Sequence, residues 1–184
     1  MLVKKHRAGL LAAGALAVLA TSASATTLLQ MSFEDLVANS DVIIVGEAVS
    51  SRVERSASGG LVTITTFNVE DSIAGEAPAT LEVEVSGGTF RSGKFLLREA
   101  TPDAPVFADG SEHMLFLKDG PSDAFDIVGV NQGAAPVFKT KDGSAVMLPG
   151  GPGPQAVGAA KARILKEWDA ALSRGAKPRR ETGE

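Results

Sequence analysis

A single imidazole is the first candidate for catalytic chemistry in this sequence. His113 is the only histidine after residue 25, and a histidine can act as a general base or as a metal ligand. A typical zinc site would need further histidine or cysteine ligands, which that part of the chain lacks. Since Met114 and Phe116 continue an apolar strand pattern, we interpret His113 as a structural or surface residue.

Three carboxylates invite comparison with a calcium-binding loop. Asp119, Asp123 and Asp126 fall within eight residues, but the spacing lacks the intervening ligands and the terminal glutamate of an EF-hand. Asp and Gly residues are common in turns because they suit tight backbone conformations. We therefore predict an ordinary turn between two strands and no metal site.

Hydrolytic catalysis has little support from the remaining residue types. The G-x-S-x-G elbow of many serine hydrolases is absent. Glu82 and Glu84 are candidates for a glycosidase-type carboxylate pair, but their alternation with apolar residues indicates the solvated face of a strand. We predict a protein that is not an enzyme and has no cofactor, and a carboxylate-based hydrolase remains the least favoured alternative.

The glycine-rich segment 87–94 supplies the candidate binding residues Phe90, Arg91 and Lys94. Its glycine spacing differs from that of a P-loop, and Lys94 is followed by Phe95 where a magnesium-binding Ser or Thr would stand. Loops on a rigid scaffold commonly carry binding surfaces. The alternative, in which Phe90 and Phe95 anchor the segment to the core, stays open.

Residues 1–25 have the pattern of a secretory signal peptide. Three cations precede a small, apolar run over 8–20, and Ala23 and Ala25 form the pattern behind which a signal peptidase cuts. A membrane-spanning helix needs about 20 apolar residues, and this run is shorter. We therefore predict a mature chain that begins at Thr26, is periplasmic or extracellular, and keeps no membrane anchor.

The charge balance restricts the classes of partner. The full chain has 18 basic and 22 acidic side chains, and three of the basic ones lie in the predicted signal peptide. The mature chain would carry 15 basic against 22 acidic groups, a net charge of −7. This opposes binding to nucleic acid or to anionic lipid, because both need a concentrated positive surface. There is no cysteine, which excludes disulfides and thiol catalysis.

Apolar spacing predicts a short helix followed by strands. Ser32 as an N-cap, with Asp35 three residues later, predicts the start of the helix. In the second strand Val62 and Ile64 have the opposite parity to Phe67 and Val69, and a bulge near residues 65–66 would let all four point inward. The predicted strands cover 42–53, 61–72, 81–85, 112–118 and 125–130, followed by a hairpin of 137–140 and 145–148.

The remaining segments differ in composition. Residues 87–111 hold few regular signals and are predicted to form a long loop, and 149–154 are a Pro/Gly linker. A helix predicted over 155–174 has an apolar stripe at three-to-four spacing, so we expect it to pack on the domain of residues 26–148. Residues 175–184 are predicted to be disordered. The predicted stripe consists of Val157, Ala160, Ile164, Leu165, Trp168 and Leu172.

Together these elements predict a mainly β fold. Five curved antiparallel strands with a short N-terminal helix and a C-terminal helix fit a small Greek-key barrel of the oligonucleotide/oligosaccharide-binding (OB) type. A β-sandwich is the alternative, disfavoured by the small number of strands and by a tryptophan that lies in a helix.

Several segments resemble bacterial exported proteins with a netrin-like barrel, similar to the tissue inhibitors of metalloproteases. The matching segments are 33–37, 41–46, 65–69, 85–88, 110–117 and 129–133. The resemblance implies an OB-like barrel and a regulator or companion of a secreted metalloprotease, with Thr26, Thr27 and segment 87–94 as contact regions. Those inhibitors chelate zinc through an N-terminal cysteine, which this chain lacks.

The function expected from the sequence is that of an exported, non-catalytic protein-binding module. Its partner would be another exported protein, bound through the loops at one end of the barrel. A structural or envelope-associated protein is the alternative.

Overall fold

The computed structural model describes residues 30–120, 122–151 and 153–175. Over these residues the fold is mainly β. The predicted signal peptide and nearly all of the predicted disordered tail lie outside the described residues. The helices and strands are α1 (Phe33–Ala38), β1 (Val42–Arg55), β2 (Leu61–Ala74), β3 (Thr80–Ser86), β4 (Gly88–Ser92), β5 (Phe95–Glu99), β6 (Glu112–Asp119), β7 (Phe125–Ile127), β8 (Ala134–Thr140), β9 (Gly143–Val146), β10 (Gln155–Ala156) and α2 (Val157–Ser173).

Helix α1 begins at the N-cap predicted for it. The Asp35 amide donates a hydrogen bond of 3.0 Å to Ser32 Oγ, and that hydroxyl donates one of 2.8 Å to the Asp35 carboxylate. The apolar side chains of Phe33, Leu36 and Val37 are buried. This short helix therefore covers the core with one face.

Five strands form a ring of pairings within one mixed sheet. Strand β1 pairs with both β2 and β6, and the ring continues from β2 through β3 and β7 back to β6. The β3–β7 pairing is parallel and aligns only two residues of each strand, so the ring is closed unevenly. The prediction of antiparallel pairing throughout is wrong at this pair. A ring with an odd number of strands must contain at least one parallel neighbour pair.

At the position predicted for a bulge, the extra residue lies on β1 instead of β2. Ala48 aligns with Phe67 and Ser50 with Thr66, which leaves Val49 as the extra residue. Strand β2 pairs with β3 without a register shift. The interpretation of a phase slip near residues 65–66 of β2 was therefore wrong. Strand β2 carries extra residues only later, at Glu70 and Ile73, where its register with β1 shifts. Because successive side chains of a regular strand point to opposite faces, Ile64 lies on the other face from Phe67.

The start of β1 separates two buried clusters. Val42 and Ile44 belong to the cluster inside the ring, which also contains Phe67 and Leu115. The alternate residues of β1, beginning with Ile43, belong to a cluster that the two helices cover. This arrangement confirms the prediction that β1 is buried on both faces at its start.

Helix α2 packs on the sheet with part of its predicted stripe. Ala160 and Ile164 are fully buried, and Trp168 packs against the same cluster. Leu165 and Leu172 are 45% and 51% exposed, so the prediction that both belong to the buried face was wrong. No helix of the described residues has both the length and the apolarity to cross a membrane.

Candidate functional site

The segment predicted to be a long loop contains a β-hairpin. Strands β4 and β5 form a separate two-stranded sheet, joined at Gly93 and Lys94, and an irregular segment follows from residue 100 to 111. The prediction of an irregular stretch over 87–111 is therefore wrong for residues 88–99 and confirmed for 100–111. Its glycines suggested a loop, but Gly followed by one residue between two short runs is also a signal for a hairpin turn.

The hairpin has two chemically different faces. Phe90 is aligned with Leu97 across the strands, and these residues share their face with Phe95. Arg91 is aligned with Leu96, and Arg98 lies on that same face. The hairpin, residues 88–99, is consequently apolar on one face and mostly cationic on the other.

Two glycines allow close contacts at the base of the hairpin. The backbone of Gly87 has a φ of +97°, and an added Cβ atom would lie 2.9 Å from the Glu99 carbonyl oxygen. An added Cβ atom at Gly88 would lie 2.8 Å from a methyl carbon of Val53. The Gly-Gly pair therefore permits a close approach that side chains would prevent, and it sets the direction in which the hairpin leaves β3.

The hairpin brings together three of the predicted site residues. Phe90 is half-buried, whereas Arg91 and Lys94 are exposed near the tip. Phe95 and Leu96, which were not predicted as binding residues, are 75% and 62% exposed. The alternative in which Phe95 anchors the segment to the core is therefore wrong. The predicted contact residues Thr26 and Thr27 lie outside the described residues.

Among the described residues, the cations of the hairpin have no ion-pair partner. Within the described residues, Arg91, Lys94 and Arg98 form no ion pair. The carboxylate nearest in sequence, Glu99, instead accepts a hydrogen bond of 2.7 Å from the Leu61 amide. The hairpin is thus a cationic projection on a chain with an acidic overall balance, and it is suited to bind carboxylates.

A groove lies at the base of the hairpin. One cavity of about 420 Å³ is lined by the inner faces of β1–β3, by the hairpin base and by residues 100–107. Its floor contains a hydrogen bond of 2.8 Å between the hydroxyls of Ser51 and Thr65, and Arg98 lies on its lining. A second depression of about 270 Å³ shares Val85 and Pro105 with the first. The groove offers hydroxyl groups and apolar side chains beside one cation.

His113 lies in the aromatic interior behind this groove. Its ring packs edge-on at 4.9 Å from the ring of Phe107 and at 6.3 Å from that of Phe67, measured between centroids. Burial lowers the pKa of His113. Nδ1 of the ring lies 3.4 Å from Ser111 Oγ. These contacts are those of a half-buried side chain that packs edge-on against two aromatic rings.

The carboxylates considered for catalysis or metal binding are separated or already paired. Glu82 accepts two hydrogen bonds from Arg52, which lower the pKa of the carboxyl group. Asp119 and Asp123 line a cavity of about 280 Å³ at the predicted turn. In the part of the chain that the structure describes, no group of three or more His, Asp or Glu side chains is placed to hold a metal ion.

Comparison of the chain with family models, with curated proteins and with solved structures gave no match.

Proposed function

We propose that this chain is an exported, non-catalytic protein-binding module built on an OB-like barrel, and that it binds its partner with the β4–β5 hairpin. The barrel is supported by the ring of five strands in which β1 pairs on both edges, an arrangement that fits a small Greek-key barrel. Export is supported by the signal-peptide pattern of residues 1–25.

The exposed hairpin is the observation that carries the proposal. Phe95 and Leu96 present apolar surface to solvent beside Arg91 and Lys94, which form no ion pair with any described residue. Aromatic residues and arginines are enriched in protein interfaces, where they contribute a large share of the binding energy. The side chains do not fill the core, and burying them against a partner would remove apolar area from water.

A crosslinking pull-down tests the proposal with matched variants. The chain is expressed with its full sequence, recovered from periplasm and culture fluid, and N-terminal sequencing checks whether it begins at Thr26. We expect the double variant Phe95→Ser/Leu96→Ser to lose the captured partner. The control Leu165→Ser/Leu172→Ser removes two similarly exposed apolar side chains from α2 and should keep it. Equal capture by both double variants would contradict the proposal.

A narrower form of the proposal names a secreted metalloprotease as the partner. Its support is the sequence resemblance to netrin-like proteins, which implies contact by Thr26, Thr27 and the hairpin. Excess purified chain should then slow cleavage by metalloproteases of the same culture fluid. Unchanged cleavage would contradict a metalloprotease as the partner. The broader proposal of a binding module would then depend on the result of the pull-down.

A further inference from the structure

Strand β5 has one edge without a partner strand. Residues Phe95–Glu99 pair with β4 along one edge, and among the described residues no strand is aligned with the other edge. Strand β4 is the inner strand, because its first residue, Gly88, lies against Val53 and Thr63 of the barrel. The backbone N–H and C=O groups on the outer edge of β5 are therefore available to another chain.

The edge also lacks most of the features that prevent strand addition. Natural edge strands avoid unwanted pairing through proline, bulges, inward charges or a covering element. Strand β5 contains no proline, its register with β4 is regular, and Phe95 and Leu96 are exposed on it. The remaining protection is charge, from Lys94 and Arg98, and both charges are positive.

We infer that the outer edge of β5 binds an extended, acidic segment of the partner protein as an added antiparallel or parallel strand. This inference rests on the proposed function, since it specifies how the hairpin recognises its partner. Main-chain hydrogen bonds would supply affinity, and side chains at alternate positions would supply specificity. Carboxylates of the added strand would lie beside Arg98, and its apolar side chains beside Phe95 and Leu97. Arg91 lies on the same face as Arg98 but on β4, about 10 Å from the added strand, a distance that its long side chain can span.

Charge favours an acidic strand over a second copy of this chain. Two β5 strands paired antiparallel would place Lys94 and Arg98 of both copies within a strip only about 17 Å long. Like charges at such short separation oppose pairing. The acidic group of the strand, Glu99, is engaged by the Leu61 amide. An acidic strand neutralises the cations, whereas a second copy concentrates them.

Binding of heptapeptides with acetylated N-termini and amidated C-termini tests the inference. The protein used is the one recovered after expression of the full-length sequence. One probe alternates glutamate with valine, and the control probe alternates lysine with valine. Fluorescence anisotropy should detect binding of the acidic probe alone. Arg91→Gln/Arg98→Gln should weaken it by about tenfold or more, whereas Lys141→Gln/Lys166→Gln, which removes two exposed cations elsewhere, should leave it within about twofold.

Amide hydrogen exchange separates strand addition from simple charge attraction. The acidic probe should slow exchange at alternate residues within 95–99, because only those amides face the outer edge and become hydrogen-bonded to the added strand. The inference would be overturned if the acidic probe bound without that protection, or if the lysine probe bound equally well. Protection that grows with protein concentration in the absence of peptide would also overturn it, because it would indicate pairing between copies of the chain. Binding of anionic phosphatidylglycerol vesicles without peptide binding would also overturn it.

The two proposals fail separately. Suppose that capture of a partner depends on Phe95 and Leu96, but residues 95–99 gain no protection in the captured complex. The proposal of a binding module would then stand, and the inference of strand addition would be wrong. Capture that is independent of the hairpin removes both.

Discussion

Substitution of Gly87 by alanine tests whether close backbone packing holds the hairpin in place. The new Cβ atom would lie 2.9 Å from the Glu99 carbonyl oxygen and 3.3 Å from the Thr101 amide nitrogen. The backbone cannot shift freely to relieve this contact. The Gly87 amide donates a hydrogen bond of 2.7 Å to the Leu61 carbonyl, and its own carbonyl accepts one of 2.8 Å from Thr63 Oγ1.

A second glycine provides a matched control. Gly59 has a φ of +90°, close to the +97° of Gly87, but an added Cβ atom there would meet no atom within 4 Å. Both substitutions impose a left-handed conformation on alanine, at a cost of about 1–3 kcal/mol. Both also reduce the entropy of the unfolded chain equally. The difference between them therefore isolates the steric contact.

We expect Gly87→Ala to lower the free energy of unfolding by about 1–3 kcal/mol more than Gly59→Ala does, which is the usual cost of overpacking. For a domain of this size, that difference corresponds to a Tm lower by about 2–12 °C. Urea unfolding followed by Trp168 fluorescence and by circular dichroism measures both variants. Losses that agree within about 0.5 kcal/mol would refute the reasoning that the approach of β5 to Gly87 is tight.

Three further outcomes follow from single side chains. Val130 has a φ of +61°, a strained value for a β-branched residue, so Val130→Asn should raise the free energy of unfolding by about 1 kcal/mol in urea titrations; a loss of stability would contradict this. Burial lowers the pKa of His113. The contribution of this side chain to the free energy of unfolding is therefore complete above the ordinary histidine pKa of about 6.5 and is lost as the pH falls through the lowered pKa. Unfolding titrations between about pH 5 and pH 7.5 should show this loss of stability in the wild type and a weaker pH dependence of stability in His113→Gln. The same pH dependence in both proteins would contradict the lowered pKa of His113. Ile164→Ala should cost about 2–5 kcal/mol because the side chain is fully buried, whereas exposed Leu165→Ala should cost under about 1 kcal/mol; similar losses would contradict the assigned face of α2.

The helices and most strands could be predicted because their signals are local. The cap of α1 depends on Ser32 and Asp35, which are three residues apart, and the alternation that predicts β3 is complete within 81–85. Such patterns reflect how a single element presents one face to the core. The predicted hairpin of residues 137–148 also formed, as β8 and β9, for the same reason.

The candidate site was only partly predictable. Phe90, Arg91 and Lys94 were selected from composition, and the structure places them on one hairpin. The exposure of Phe95 and Leu96 could not be predicted, because an apolar pair in a short run has the same pattern whether it fills a core or stands in solvent. The groove likewise depends on segments far apart in sequence, such as β1 and residues 100–107.

The sequence by itself determined the elements of this protein and the chemistry that they carry: the predominance of strands, the capped helix, the unusual concentration of cations in 91–98 and the lack of cysteine. Only the tertiary structure decided that β7 pairs parallel with β3, that the bulge opposite residues 66–67 falls at Val49 of β1, and that β5 keeps one edge without a partner strand among the described residues. Local periodicity records which face of a strand is apolar, but strand neighbours and free edges depend on long-range pairing, for which a single sequence carries no direct signal.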